Sequence, residues 1–184
     1  MPHTNELWQE YDAAGECLSS GRSSELGNPG LDEKVFVATA QVWLYRKNGD
    51  SIEILFQKRS PYVDRNANYF DRSAGGHINF KEDRLAAAIR EVKEEIGVTV
   101  SPKKLYFIAS ETSGHANMFI HIYAYDFTDN TEEFHFNDQE VSEVRWIPLS
   151  EFDDFIESNA KPALKSDIET NALFKNWLKQ HGNN

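Results

Sequence analysis

Residues 83–96 constrain the fold more than any other part of the sequence, because they have the spacing of an amphipathic helix. Leu85, Ala88, Ile89, Val92 and Ile96 recur at helical intervals and form one apolar stripe. Gly97 follows at the position where a glycine C-cap is expected. The stripe predicts that this helix packs one face against the core.

Strand patterns lie on both sides of the predicted helix. Residues 35–45 and 51–58 are joined by an Asn-Gly turn and predict a hairpin, while residues 60–81 are predicted to be irregular. Further strands are predicted over 104–110, 118–127 and 141–147. Helices are predicted over 150–158, with Ser150 as N-cap, and over 166–180, with Ile168, Leu173, Phe174, Trp177 and Leu178 on its apolar face. This order predicts an α+β fold, an α/β/α sandwich in which a mixed β-sheet is flanked by helices.

The length of 184 residues predicts one domain covering residues 1–184. Residues 1–30 are expected to form an N-terminal hairpin and connector extension, with strands at 7–11 and 16–18 and a loop-like connector over 19–33. Residues 160–184 are expected to hold the C-terminal helix.

Charge and cysteine content exclude several classes of function. The 30 acidic residues outnumber the 19 Lys and Arg, which gives a net charge of −11. This balance argues against a nucleic-acid scaffold or an anionic membrane surface as the partner. The lone cysteine, Cys17, excludes an intrachain disulfide and a cysteine-rich zinc site, and it favours a reducing, cytoplasmic location.

Three glutamates in the predicted helix carry the strongest chemical signal. Glu91, Glu94 and Glu95 stand at i, i+3 and i+4, which places their carboxylates on one helical face. Such like charges repel one another unless a cation compensates, and Mg²⁺ prefers oxygen ligands of this kind. An ordinary salt-bridged surface is the alternative, since Arg90 and Lys93 are interleaved with the acids.

The whole segment Gly76–Val98, which reads GHINFKEDRLAAAIREVKEEIGV, resembles the Nudix box. The pattern of that box is G-x5-E-x7-R-E-U-x-E-E-x-G-U, where U is a bulky aliphatic residue. Every specified position is filled, by Gly76, Glu82, Arg90, Glu91, Val92, Glu94, Glu95, Gly97 and Val98. The resemblance covers about residues 33–158. One departure is Lys81, which stands where the family commonly has glycine.

The resemblance to Nudix hydrolases implies a Nudix fold and a pyrophosphohydrolase that cleaves a diphosphate bond in a small nucleoside-diphosphate-linked substrate. It implies Mg²⁺ or Mn²⁺ as cofactor, held by Glu91, Glu94, Glu95 and the backbone carbonyl of Gly75 or Gly76. Glu91 would be a ligand or a water-orienting base, and Glu94 would share in catalysis. Arg90 and Glu82 would position the carboxylates, with Gly97 in a structural role. Homodimers are frequent in the family.

Four further residues are candidates for the site. Glu140 is a possible extra catalytic base or ligand, with an exposed loop acid as the alternative. Arg59, Gly76 and His77 are candidates for substrate binding, although an exposed or structural histidine is the favoured interpretation of His77.

Two alternative functions remain open at this stage. The run Ser73–His77 resembles a Nudix branch that includes type 1 isopentenyl diphosphate isomerases, so the enzyme could be a prenyl-diphosphate hydrolase or isomerase. The isomerases carry a catalytic cysteine where this chain has Gly75. A non-catalytic nucleotide-binding sensor is the second alternative, although such sensors tend to lose the carboxylates that this chain retains.

Overall fold

The computed structural model describes residues 6–136 and 139–182. Within these ranges the chain forms nine strands: β1 Leu7–Tyr11, β2 Cys17–Ser23, β3 Val37–Asn48, β4 Ser51–Arg59, β5 Phe70–Asp71, β6 Ala74–His77, β7 Leu105–Thr112, β8 Met118–Asp126 and β9 Val141–Pro148. The same ranges contain four α-helices: α1 Arg84–Ile96, α2 Phe152–Asn159, α3 Pro162–Ser166 and α4 Ile168–His181. Short 3₁₀ turns lie at Ser24–Leu26, Pro102–Lys104 and Leu149–Glu151.

Seven of these strands form one mixed sheet, which confirms the predicted sheet type. The order β5-β4-β3-β8-β7 runs across it, β6 pairs with β3, and β9 pairs with β4. The pairing of β3 with β8 is parallel, whereas the other pairings are antiparallel. The long strand β3 therefore lies at the centre and carries the glycine-rich strand β6 beside it.

Alternating residues of β3 face two separate cores, and this arrangement confirms the α/β/α sandwich. Ala38, Ala40, Val42 and Leu44 pack with α1 on one face of the sheet. Trp43 and Tyr45 belong to the second core, which contains α2, α3 and α4. Successive side chains of a strand point to opposite faces of the sheet, so β3 contributes side chains to both cores.

The N-terminal hairpin packs against the start of the box segment. Strands β1 and β2 pair with each other, as predicted, and Gln9 N donates to the carbonyl oxygen of Ile78 at 2.9 Å. Phe80 N donates to the carbonyl oxygen of Leu7 at 2.8 Å. The predicted connector over 19–33 was wrong for its first part, because β2 continues to Ser23 and the 3₁₀ turn Ser24–Leu26 follows it, whereas no described helix or strand covers 27–33.

Several other sequence predictions need correction. The segment 60–81 is not wholly irregular, because β5 and β6 lie within it and complete the sheet through backbone hydrogen bonds.

In the predicted apolar stripe of α1, Leu85 is exposed, and Ala87 is buried in the core instead. Ser150 lies inside a 3₁₀ turn rather than capping α2. Ile168 is 72% exposed, whereas Phe174 and Leu178 of the predicted apolar face are fully buried.

No helix in the described ranges is long and apolar enough to cross a membrane.

Candidate active site

Helix α1 is fixed at both ends by residues of the box segment. The Asp83 carboxylate accepts hydrogen bonds from the backbone N–H groups of Leu85 and Ala86, at 2.9 and 3.0 Å, and caps the helix. Gly97 ends the helix with φ 77°, and an added Cβ there would lie 2.5 Å from the carbonyl oxygen of His135. Only glycine fits that position, so the C-terminal end of α1 is fixed. The positions of the glutamates along the helix are fixed with it.

Arg90 is the centre of the charged cluster on this helix. Its Nε donates to Glu82 Oε1 at 2.9 Å, and its Nη1 donates to Glu91 Oε1 at 2.7 Å and to Glu94 Oε2 at 2.9 Å. Its Nη2 donates to Glu82 Oε2 and to the carbonyl oxygen of His77, both at 2.9 Å. One guanidinium thus orients three carboxylates and the strand β6.

These contacts control the protonation of Arg90 and Glu82. Burial alone would lower the pKa of Arg90, but its hydrogen bonds to Glu82, Glu94 and Glu91 and the negative charge of Glu91 raise it above its usual value. Burial would raise the pKa of Glu82, but the hydrogen bonds from Arg90 and from the backbone N–H of Asn79 lower it. Both groups therefore stay charged and hold their geometry near neutral pH.

Glu91 and Glu95 are the two buried carboxylates of the helix. Burial, offset in part by Arg90, raises the pKa of Glu91 to about 7. Burial and the charge of Glu91 raise the pKa of Glu95 well above its usual value. Glu95 Oε2 accepts hydrogen bonds from Gly75 N at 2.9 Å and from Gln57 Nε2 at 3.0 Å, so it is held against β6. Two such carboxylates are costly to ionise together without a compensating cation.

Gly76 faces the Glu91 carboxylate across the gap between β6 and α1. A Cβ at this position would collide with the carboxyl group of Glu91. The neighbouring Gly75 is also constrained, since an added Cβ would lie 2.9 Å from the carbonyl oxygen of Ala40. The glycine pair is therefore required for close approach of the strand backbone to the acidic helix.

The acidic face of α1 opens into a cavity of about 490 Å³, called the acidic cavity below. Its lining contains two arginines and seven acidic residues: Arg59, Arg90, Glu6, Glu25, Asp64, Glu91, Glu94, Glu95 and Glu140. Among the described residues, no three His, Cys, Asp or Glu side chains already converge as a metal site. Arg90 is hydrogen-bonded to Glu91 and Glu94, and Gln57 is hydrogen-bonded to Glu95. The donor set still suits a hard divalent cation, because it is rich in carboxylate oxygens and carries an excess of negative charge.

Two larger cavities adjoin the acidic cavity. One of about 740 Å³ lies between the N-terminal segment and residues 59–65, and is called the N-terminal cavity below. The other, of about 710 Å³, includes Thr39, Gln41 and Arg72 in its lining and is called the sheet cavity. His77 lines all three cavities.

His77 is fixed by the N-terminal segment. Its ring stacks on Trp8 with the centroids 3.6 Å apart and the planes 7° from parallel, and Nε2 lies 2.7 Å from Asn28 Oδ1. Burial lowers the pKa of His77 to about 4, so the ring is neutral near neutral pH. The neutral ring donates one hydrogen bond, here to Asn28.

The family assignment follows from the sequence match together with this geometry. A model of the NUDIX domain matches residues 35–167, which include the whole sheet core and helices α1 and α2. The chain belongs to the NUDIX family.

Two relatives and one solved structure are similar to this chain. An uncharacterized Nudix hydrolase from Clostridium acetobutylicum is 31% identical over 127 residues, covering 66% of this chain and 61% of that protein. This chain therefore spans less than two thirds of that relative's length. An isopentenyl-diphosphate Delta-isomerase from Aliivibrio fischeri is 26% identical, covering 79% of this chain and 81% of that protein. The crystal structure of a Deinococcus radiodurans protein superposes with a TM-score of 0.69 and 20% identity, covering 88% of this chain and 96% of that one.

The structure brings together nearly all the residues that the Nudix resemblance implied. Eight of them line the acidic cavity: Arg59, Gly75, Gly76, His77, Arg90, Glu91, Glu94 and Glu95, and Glu140 lines it as a ninth. Glu82 lies behind Arg90 and does not line the cavity. Gly97 lies at the far end of α1, called the Nudix helix below, and does not line the cavity either. Cys17 is exposed at the start of β2 and lines none of the three cavities.

Three features of the site have no counterpart among the residues predicted from the sequence. Trp8 and Asn28 reach the Nudix box from the N-terminal segment, and Gln57 reaches it from β4. The alternation along β4 could have pointed to Gln57, since it lies two positions from Leu55, which packs in the same core as α1. No local pattern around Trp8 indicates that it stacks on a histidine 69 positions later.

Proposed function

We propose that this chain is a divalent-metal-dependent Nudix pyrophosphohydrolase that cleaves a nucleoside-diphosphate-linked substrate by water attack on phosphorus. The observation that carries the proposal is the cluster of Glu91 and Glu94 around Arg90 in the lining of the acidic cavity, with Glu82 bound to Arg90 from behind. An acidic cavity attracts a phosphate substrate only when a cation reverses the local field. The intact Nudix box and the hydrolase relative support the same reaction class.

Mg²⁺, or Mn²⁺, fits the donors that surround this cavity. Glu91, Glu94, Glu95 and the carbonyl of Gly75 would hold the ion, which would offset the cost of ionising Glu91 and Glu95, whose pKa values are raised chiefly by burial. When bound, such an ion supplies charge neutralisation for the phosphates and lowers the pKa of a water ligand.

The chain's own residues supply positioning and proton transfer. Arg90, itself bound by Glu82, holds the Glu94 carboxylate in position through a hydrogen bond. Arg59 lines the acidic cavity and forms no ion pair with any described residue, so its guanidinium is available to bind a phosphate. Glu91 or Glu140 accepts the proton of the attacking water. In-line attack then needs mainly orientation and charge stabilisation.

The remainder of the substrate has space in the sheet cavity next to Gly75 and Gly76. Thr39, Gln41 and Arg72 line this cavity, and their side chains carry hydroxyl, amide and guanidinium groups of the kind that bind polar groups of a ligand.

A prenyl-diphosphate reaction is the second candidate, because a relative carries the isomerase name. Gly75 occupies the position of the isomerases' cysteine, and the exposed Cys17 does not line the cavities. Product analysis separates the two candidates, since an isomerase yields a rearranged alkene and a hydrolase releases phosphate. The homodimer, the cytoplasmic location and the lack of nucleic-acid or membrane partners stay predictions from the sequence.

Glu94→Gln and Glu95→Gln test the proposal. Each removes one negative oxygen donor while keeping the size of the side chain, so turnover should fall about 100-fold or more. Turnover is measured with Mg²⁺ on nucleotide sugars, ADP-ribose, dinucleoside polyphosphates, NADH, nucleoside triphosphates and prenyl diphosphates. Calorimetric titration with Mg²⁺ should show weaker binding in both variants.

Glu157→Gln is the matched control, since Glu157 is exposed on α2 and lines none of the three cavities. It should keep wild-type turnover and Mg²⁺ binding. Unchanged turnover in both Glu94→Gln and Glu95→Gln would overturn the metal-site assignment.

A further inference from the structure

The backbone of Lys81 has a left-handed conformation that glycine usually occupies. Its φ is 65°, and it is the third residue of a tight turn that is closed by a hydrogen bond from Glu82 N to the carbonyl oxygen of Asn79, at 2.9 Å. A positive φ at the third residue is typical of a type II turn, which favours glycine there. Lys81 stands where the Nudix family commonly has glycine, and its Cβ makes this conformation strained.

A buried glutamine of the N-terminal hairpin binds the strained residue. Gln9 Oε1 accepts a hydrogen bond from Lys81 N at 3.0 Å, and Gln9 is only 3% exposed. Gln9 Nε2 donates to the carbonyl oxygens of Glu10 and Leu18, at 2.8 and 2.7 Å. Because the two ends of the carboxamide are bound by groups of opposite kind, its orientation is fixed. Gln9 therefore presents a fixed acceptor to the N–H group of Lys81.

The backbone of β1 runs along the same turn and reinforces this contact. Gln9 N donates to the carbonyl oxygen of Ile78 at 2.9 Å, and Phe80 N donates to that of Leu7 at 2.8 Å. The NUDIX match begins at residue 35, so β1 adds these contacts from outside the part of the chain that the family model covers. The turn is thus held by β1 through two backbone hydrogen bonds and the side chain of Gln9.

The turn carries Glu82, which orients the arginine of the site. Glu82 Oε2 accepts a hydrogen bond from Asn79 N at 2.9 Å. Both carboxylate oxygens of Glu82 also accept hydrogen bonds from Arg90, at 2.9 Å each. Because Lys81 directly precedes Glu82, a change of its backbone conformation moves the carboxylate that orients Arg90.

We propose that Gln9 is a positioning residue of the active site, which holds Lys81 in the left-handed conformation and thereby places Glu82 against Arg90. Gln9 lines none of the three cavities, so it acts through the turn and not by contact with the substrate. The hydrogen bond from Lys81 to Gln9 offsets the strain that a glycine would not have. This proposal rests on the proposed function and gives the N-terminal hairpin a part in it.

A double-mutant cycle tests the proposal through rescue by glycine. Gln9→Met removes both hydrogen-bonding groups and keeps the length of the side chain. It should lower kcat/KM for the best substrate of the panel about tenfold, because small displacements of catalytic groups slow the reaction. In the Lys81→Gly background the same substitution should cost less than about threefold, because glycine adopts the left-handed conformation without strain.

Asp129→Gly is the matched control for the rescue. Asp129 is exposed, has φ 63° and lines none of the three cavities. Glycine there relieves the same kind of backbone strain without affecting the turn, so Gln9→Met should still cost about tenfold in the Asp129→Gly background. An equal cost of Gln9→Met in the wild type and in the Lys81→Gly background, or equal rescue by Asp129→Gly, would overturn the proposal.

A second variant leaves Gln9 in place, in case Gln9→Met does not fold. The side chain of Lys81 is exposed, so Lys81→Val removes no buried group, but a β-branched residue is strongly disfavoured at positive φ. Lys81→Val should therefore lower kcat/KM about tenfold or more. An unchanged kcat/KM would contradict the need for a left-handed residue at this position.

Hydrogen exchange separates this proposal from the hydrolase proposal, because it needs no turnover. Exchange of the Arg90 Nε–H, which donates to Glu82, is measured by NMR. It should become faster in Gln9→Met and slow again when Lys81→Gly is added. If no diphosphate is cleaved while exchange follows this pattern, the hydrolase proposal fails and the positioning proposal is supported. Unchanged exchange in Gln9→Met would refute the positioning proposal.

Discussion

At the residue scale, the site depends on two glycines that allow a strand backbone to approach a carboxylate closely. Gly76 lies opposite Glu91, and Gly75 donates its N–H to Glu95 at 2.9 Å. The box pattern fixes Gly76 as glycine but does not reveal the reason. The reason is steric, because a side chain at this position would occupy the space of the Glu91 carboxyl group.

Gly76→Ala should lower kcat/KM by about tenfold or more, because the new Cβ displaces a carboxylate whose position matters to within about 1 Å. Steady-state kinetics with the best substrate of the panel measures the loss. Gly114→Ala is the control, since an added Cβ there meets nothing within 4 Å. Equal activity of the two variants would contradict the close-approach argument.

At the scale of elements, the pairing of two neighbouring strands determines the hydrogen-bond partner of a histidine. The β7–β8 pairing places Ser110 opposite His121, and Ser110 Oγ lies 2.6 Å from His121 Nδ1. Burial, with the positive charge of Arg84 on α1, lowers the pKa of His121 to about 4. The Ser110 contact gives His121 a hydrogen-bond partner on the neighbouring strand.

His121 should make stability depend on pH. An unfolded histidine takes up a proton below about pH 6.5, whereas the folded ring stays neutral down to about pH 4, so the free energy of unfolding falls as the pH falls through this window. We expect His121 to contribute about 1–2 kcal/mol to this fall, after a discount for solvent screening. Urea unfolding of the wild type and of His121→Gln at about pH 7 and pH 4.5 measures the difference.

In His121→Gln, the free energy of unfolding should fall less on acidification than it does in the wild type. His115→Gln is the control, because His115 is exposed in the loop between the same two strands and should leave the wild-type decline unchanged. An identical decline in His121→Gln and in the wild type would refute the assignment to His121.

At the scale of the whole molecule, the last helix closes the face of the sheet opposite the Nudix helix. Phe174 of α4 stacks on Trp43 of β3 with centroids 4.9 Å apart and planes 8° from parallel, and both side chains are fully buried. Because β3 also pairs with β6, this packing supports the strand that carries the glycine pair.

Phe174→Ala should lower the free energy of unfolding by about 3–5 kcal/mol, as expected when a buried aromatic ring leaves a cavity. Ile168→Ala on the same helix should change it by less than about 0.5 kcal/mol, because Ile168 is 72% exposed. Denaturant unfolding measures both values. A similar cost for the two variants would show that α4 does not pack as described.

The N-terminal segment shows where the sequence was insufficient. Its hairpin was predictable from two short strand patterns around a glycine turn, since such signals are local. The stacking of Trp8 on His77 and the hydrogen bond from His77 to Asn28 were not, because they join residues far apart in the chain. Short strands such as β5 and β6 were missed for the same reason, since backbone pairing with β3 and β4 stabilises them rather than their own propensity.

The sequence by itself determined the family, the Nudix helix with its glycine C-cap, and the carboxylates and arginine that are proposed for the site. It could do so because helical spacing and a fixed nine-position pattern are local properties of the chain. Only the tertiary structure decided which groups are buried, which carboxylates Arg90 holds, and that three cavities meet at His77. Those properties depend on contacts between distant segments, and burial and charge at a site are set by such contacts rather than by neighbours in sequence.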